Sequence, residues 1–316
     1  MVYRFRRDNK KVGFMTKHSS RRLGSVRRRT LVVAVAVMAP LAALGVASPA
    51  LAVTHHPTGI FAPFADCPLA NTSINDCIFA QTKSGEFTVG KKTVPIVNTI
   101  TLQGGFIGTE GNLKFVAAED GNTLSKTAQP VPGGLLGILA PSWLPKFLQE
   151  LFNEFINKGV TGVTATTELA APASSIGLNT GNLIEETGIA LSLPVKVKLS
   201  NPFLGESCYI GSNSKPIVIE FTTGATSPPP PNKSIHGKAG TFEEEDEFLL
   251  IRLKNNSLVN NSFAAPGAEG CGGIFSFLID PAVNAELGVP AAAGHNTAVL
   301  NGTLETANAE AVRASE

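Results

Sequence analysis

Over most of this chain apolar and polar residues alternate with a period of two, in short runs cut by glycine and proline. Thr93–Leu102 alternates in this way within GEFTVGKKTVPIVNTITLQGGF (Gly85–Phe106), with Gly90 and Gly104-Gly105 at the ends, which predicts two strands and a turn. Further strands are expected over 112–118, 160–169, 188–199, 207–211, 216–222, 248–254, 257–263, 273–278 and 296–306. Pro194 marks a bulge or an edge in the third of that series, and Glu119–Asn122 a tight turn. Residues 129–141 are apolar but too broken by Pro and Gly for regular structure, and Pro228–Pro231 is a stiff connector. Short strands between Gly and Pro turns predict an all-β fold, an antiparallel sandwich or barrel.

The period changes to 3.6 in PSWLPKFLQELFNEFINKG. Trp143, Leu144, Phe147, Leu148, Leu151, Phe152, Phe155 and Ile156 form one stripe, with Lys, Gln, Glu and Asn opposite. Ser142 as cap, Pro145 in the first turn and Gly159 at the end predict an amphipathic helix over 142–158. The first expectation is that its apolar face packs on the sheet or caps it. The alternative is a lid or a ligand- or membrane-facing surface. A single helical turn is expected over Pro281–Val289, with Asp280 as its cap.

The first 52 residues read as a cleavable export signal. Residues 1–29 hold eleven basic residues and one acid, an apolar run follows from Leu31 to Val46, and Ala50 and Ala52 place cleavage after Ala52. Pro40 interrupts that run, which falls short of the roughly 20 residues that span a bilayer. Met15 is an alternative start, and Arg28-Arg29 loosely resembles a twin-arginine signal. A single secreted β-rich domain, 53–316, should remain. Its 15 basic against 24 acidic residues give a net charge of about −9, which argues against nucleic acid as a partner. A lipid or envelope component is the candidate partner.

All four cysteines follow the signal. Of three pairings, Cys67–Cys77, closing a small N-terminal loop over 67–77, with Cys208–Cys271 is favoured in an oxidising compartment. No CxxC spacing or ligand-like histidine pattern suggests a metal, and no cofactor motif occurs. The aromatic residues are Phe apart from Trp143 and Tyr209 after the signal, which disfavours sugar recognition. Gly205-Glu206-Ser207-Cys208-Tyr209 lacks the second glycine of a nucleophile elbow. His236 and His295 stand in glycine-flanked loops with nothing to select them as bases, and Glu243–Glu247 reads as charge that blunts an edge strand.

At FADCPLANTSINDC (Phe64–Cys77), NPFLGESCYIGSNSKPI (Asn201–Ile217) and SFAAPGAEGCGG (Ser262–Gly273) the chain resembles a group of uncharacterised exported proteins of actinobacteria. The resemblance spans most of the chain after the signal. It implies secretion and transfers no activity or catalytic residue. The leading expectation is a secreted, non-catalytic envelope or extracellular interaction protein. The first alternative binds a lipid or other hydrophobic ligand with residues 131–159 as lid. The second is a hydrolase assembled from distant residues.

Overall fold

The computed structural model describes residues 56–109, 113–134, 142–151, 161–245 and 249–316, and every strand pairing within them is antiparallel. In chain order the strands are β1 (Asp76–Val89), β2 (Lys92–Pro95), β3 (Ile100–Ile107), β4 (Lys114–Ala117), β5 (Ala128–Pro130), β6 (Thr164–Leu169) and β7 (Gly177–Leu178). They continue as β8 (Leu191–Ser200), β9 (Tyr209–Ile210), β10 (Ile217–Phe221), β11 (Thr241–Glu245), β12 (Leu250–Asn260), β13 (Ala268–Glu269) and β14 (Thr297–Asn308). The helices are α1 (residues 146–151), α2 (Thr180–Glu185), α3 (Ser276–Leu287) and α4 (Ala309–Ala314).

Among the described residues the strands form two sheets and no closed barrel, so of the two expected architectures they are not a barrel. The first sheet runs β11-β12-β14-β1-β3-β4, with β2 also paired to β1. The second runs β13-β9-β8-β6-β5, with β7 and β10 also on β8. Their facing sides share one core that includes Ile78, Leu102, Leu253, Leu300 and Leu304 from the first sheet and Leu193, Val195, Ile217 and Ile219 from the second. One corner stitches them together: Thr222 N–H donates to Val259 O at 3.0 Å, and Val259 N–H to Thr222 O at 2.8 Å.

The period-two rule works out differently in the first sheet, which is covered on both faces. Ile78 points into the shared core, whereas its neighbour Cys77 points the other way, into a second core with Phe64, Leu69, Leu250, Ala307 and Val312. That second core holds the Cys67–Cys77 disulfide and α4. The residues from Ala52 onward form a compact unit of their own.

β14 lies between β1 and β12, and both neighbours bulge where they pass Gly302. Register shifts between Thr82 and Ser84 and between Lys254 and Asn256, each across from Gly302. Asn255 carries the second bulge at φ 58°, a left-handed conformation that asparagine tolerates. A Cβ on Gly302 would run into the Gln81 carbonyl oxygen.

Several expected boundaries move. β1 begins at Asp76, ahead of the first expected strand, and the alternating run Thr93–Leu102 is divided between β2 and β3. The division falls after Pro95, where the Gln129 side chain takes the backbone N–H groups of Val97 and Asn98. Gly104 and Gly105 lie inside β3, because Val116 O and the Ile74 side chain leave no room there for a Cβ. The two strands expected over 248–263 are one, β12, bent by its bulge. Pro194 sits in β8, the most connected strand of the second sheet, and not at an edge. It is tolerated because on one side β8 changes partner there, from β7 at Leu191–Ser192 to β6 from Val195 onward.

The clearest correction concerns residues 273–289. The run expected as a strand over 273–278 is a 3₁₀ turn followed by the start of α3, and the single expected turn is the rest of that twelve-residue helix. A short apolar run carries no period that separates strand from helix. Asp280 does not cap α3. Its carboxylate accepts from the backbone N–H groups of Cys271 at 2.7 Å and Gly270 at 3.2 Å.

Candidate functional site

Between the two sheets lies a cavity of about 310 Å³. The first sheet contributes Phe87, Val89 and Val94 to its wall. The second contributes Ala165 and Thr167 of β6, Val195, Val197 and Leu199 of β8, and Ile210, Ile217 and Ile219 beyond. β-branched residues dominate because these strands put alternate side chains into the same space. A smaller cavity of about 60 Å³ adjoins it, and Phe87, Thr167, Val195 and Ile219 line both.

α3 forms the roof. None of its residues is fully buried, yet Ile279, Ala282, Val283, Glu286 and Leu287, spaced at three and four, line the cavity. The helix is fastened at both ends. Asp280 holds the loop at Gly270–Cys271, and Asn284 exchanges hydrogen bonds with the backbone of Ala268 at 2.6 and 3.2 Å. At the far end, Lys91 N–H donates to Leu287 O at 2.8 Å, Lys91 Nζ donates to Ala285 O at 3.1 Å, and Lys92 Nζ meets Glu286 Oε1 at 2.8 Å. The cationic ends of Lys91 and Lys92 suit the negative end of the helix dipole.

The Gln129 amide and the charged pair on the wall are already engaged. Gln129 is buried, accepts from Val97 N–H and Asn98 N–H at 2.9 Å each, and donates to Asn98 O at 2.7 Å. Lys92 and Glu286 neutralise each other. Such a wall offers dispersion and removal from water, and its affinity rises with the apolar area of whatever enters.

No family model, curated protein or solved structure matches the chain.

The cysteines pair as Cys67–Cys77 and Cys208–Cys271. The second bond joins the loop after β8 to the loop before α3, so it helps to set the roof. Of the apolar stripe expected over 142–158, Trp143, Phe147 and Leu151 are exposed and Leu144 and Leu148 half-buried. None of these five belongs to either core or lines the cavity. Phe152, Phe155 and Ile156 lie outside the described residues. Ser142 is not the side-chain cap: α1 begins from the Pro145 carbonyl, which accepts from Leu148 N–H at 2.9 Å and Gln149 N–H at 3.0 Å. The Ser142 carbonyl instead accepts from the Gln149 side chain at 3.3 Å.

Residues 131–159, expected as a lid, touch the cavity at their start. Val131 and Gly134 line it, as does Val163, and Val131 N–H donates to Val163 O at 2.8 Å. Val131 and Val163 thus lie side by side on the wall; residues 135–141 and 152–160 lie outside the described residues.

None of the three residues considered for hydrolysis lines the cavity between the sheets. Ser207 is exposed beside the Cys208–Cys271 disulfide, the Nδ1 of His236 sits 2.7 Å from Gly237 O, and His295 lies exposed in a turn closed by Ala292 O. Glu243, Glu244 and Glu245 do lie on an edge strand, β11, where Glu245 pairs with Arg252 and Glu243 with Lys254 at 2.6 Å. Among the described residues no group of His, Cys, Asp or Glu is arranged to hold a metal, and no helix is long and apolar enough to cross a membrane.

The roof residues were missed in the sequence. Ile279, Val283 and Leu287 do recur every fourth residue, a signal that a reading by proline position alone passes over.

Proposed function

We propose that the protein is a secreted, non-catalytic binder of a small apolar molecule, held between the two sheets under α3. The observation that carries this reading is the cavity itself. At about 310 Å³ it falls at the small end of ligand sites, roughly 300–1,000 Å³, and its one charged pair is internally neutralised. Each 100 Å² of ligand surface removed from water would contribute about 2.5 kcal/mol before the costs of association. Two disulfides support a chain that matures in an oxidising compartment. This reading narrows the expectation of an extracellular interaction protein, and α3 joins Val131 and Gly134 of the expected lid over the cavity.

The test is fluorescence enhancement of the neutral probe N-phenyl-1-naphthylamine on residues 53–316. Ala165 of β6 lines the cavity, so Ala165→Phe should fill it and abolish the enhancement while the unfolding midpoint holds or rises. No enhancement with the parent, or equal enhancement with Ala165→Phe, overturns the reading.

A further inference from the structure

The first turn of α3 and the loop before it leave Ile274, Phe275, Phe277 and Leu278 more than half exposed, Ile274 at 84%. Phe203 joins them from the loop after β8. The Cys208–Cys271 disulfide and the bond from Gly272 N–H to Leu204 O at 2.7 Å bring the two loops side by side. Phe203 is held in place by its own N–H, which donates to Asn201 Oδ1 at 2.8 Å. It is 60% exposed and also lines the cavity, so the outer patch and the inner wall are one continuous apolar surface. α3 makes the same connection along its length, with its first turn outside and Ile279, Val283 and Leu287 on the cavity.

We infer that this patch docks on a lipid surface with uncharged or zwitterionic headgroups and takes up the ligand from it. The inference rests on the cavity reading for its purpose. Three observations select this occupant. Residues 270–279, GCGGIFSFLI, contain no charge, and the Asp280 carboxylate that follows is occupied by two backbone N–H groups. The exposed side chains of the patch are Phe, Ile and Leu, which bring neither charge nor hydrogen-bonding atom to a polar partner, so they suit the acyl layer below the headgroups. The net charge of about −9 expected for the exported chain works against an anionic surface. A molecule that suits the cavity is sparingly soluble, and a continuous apolar path from bilayer to cavity spares it passage through water.

The experiment is flotation of residues 53–316 with phosphatidylcholine vesicles. The parent should float, with little response to salt and no gain from added phosphatidylserine. An Ile274→Ser, Phe277→Ser double variant should lose at least about tenfold in partition, yet unfold at the parental temperature and still bind dispersed N-phenyl-1-naphthylamine. A Phe277→Trp reporter in a Trp143→Phe background should be quenched by brominated lipid. Ala165→Phe should float normally, which separates failure of docking from failure of the cavity reading. Docking is overturned if the parent stays at the bottom, if the double variant floats like the parent, or if Phe147→Ser on α1 abolishes flotation instead. A parent dimer that the double variant converts to monomer, with no flotation by either, would assign the patch to self-association and overturn docking equally.

Discussion

Lys92 on β2 and Glu286 on α3 meet at 2.8 Å where the roof helix reaches the first sheet. Both side chains line the cavity, so the pair that closes the roof is also part of the wall. Glu286 is substantially exposed and the pair contributes only about 0.5 kcal/mol to folding. Its effect falls on opening. Glu286→Gln should leave stability within about 1 kcal/mol, because both Lys91 bonds still hold the helix end. It should release bound N-phenyl-1-naphthylamine several-fold faster in stopped-flow dilution. High salt, with a screening length of about 3 Å at 1 M, should speed the parent and not the variant.

Phe87 stands between the large cavity and the small one and lines both. Phe87→Ala should join them. The expected cost is about 3 kcal/mol in urea unfolding, and the gain is room for a longer ligand. In a homologous series of alkyl probes, the chain length bound best should increase; an unchanged optimum would show that Phe87 is not the partition.

Gly302 has no room for a side chain at the point where both neighbouring strands bulge. Gly302→Ala forces the Cβ against the Gln81 carbonyl and should cost more than about 2 kcal/mol. Gly121, with φ 78° and open space around it, is the comparison: alanine there strains only a surface turn and should cost about 1 kcal/mol. Equal losses at the two sites in chemical denaturation would refute the steric argument.

Burial at the start of β1 raises the Asp76 pKa above 3.8. The folded state therefore holds this proton more tightly than the unfolded state does. Stability from the group is fully present below about 3.8 and is lost as pH rises through the folded-state value. Asp76→Asn should stabilise the protein at neutral pH and lose that advantage on acidification below the ordinary aspartate range. Thermal unfolding of both proteins across that range reads the difference directly.

The class of fold was legible because alternation is a local property: β6, β8, β10 and β14 each lie within or close to an expected run. Both disulfides followed from position and compartment. What was not legible depends on partners distant in the chain. The end of β2 is set by Gln129, more than thirty residues on, and the glycines of β3 are fixed by Ile74 and Val116. The helix with the strongest local signal, α1, leaves Phe147 and Leu151 exposed, as is Trp143 just before it. The helix with the weaker signal, α3, covers the cavity. Amphipathicity shows that a helix has an apolar side; which space that side meets is decided by the second sheet and by the Cys208–Cys271 bond.

The position of β14 has a consequence for the order of assembly. The last strand of the chain is an interior strand of the first sheet, flanked by β1 and β12, and α4 behind it completes the core around Phe64 and Cys77. Until Thr297–Asn308 has been synthesised, β1 and β12 have no common partner, and the first sheet is split into β2-β1-β3-β4 and the β11-β12 hairpin. A chain truncated before Thr297 would keep the pairings of the second sheet but would leave the facing edges of β1 and β12 open, a ready template for a strand of another copy.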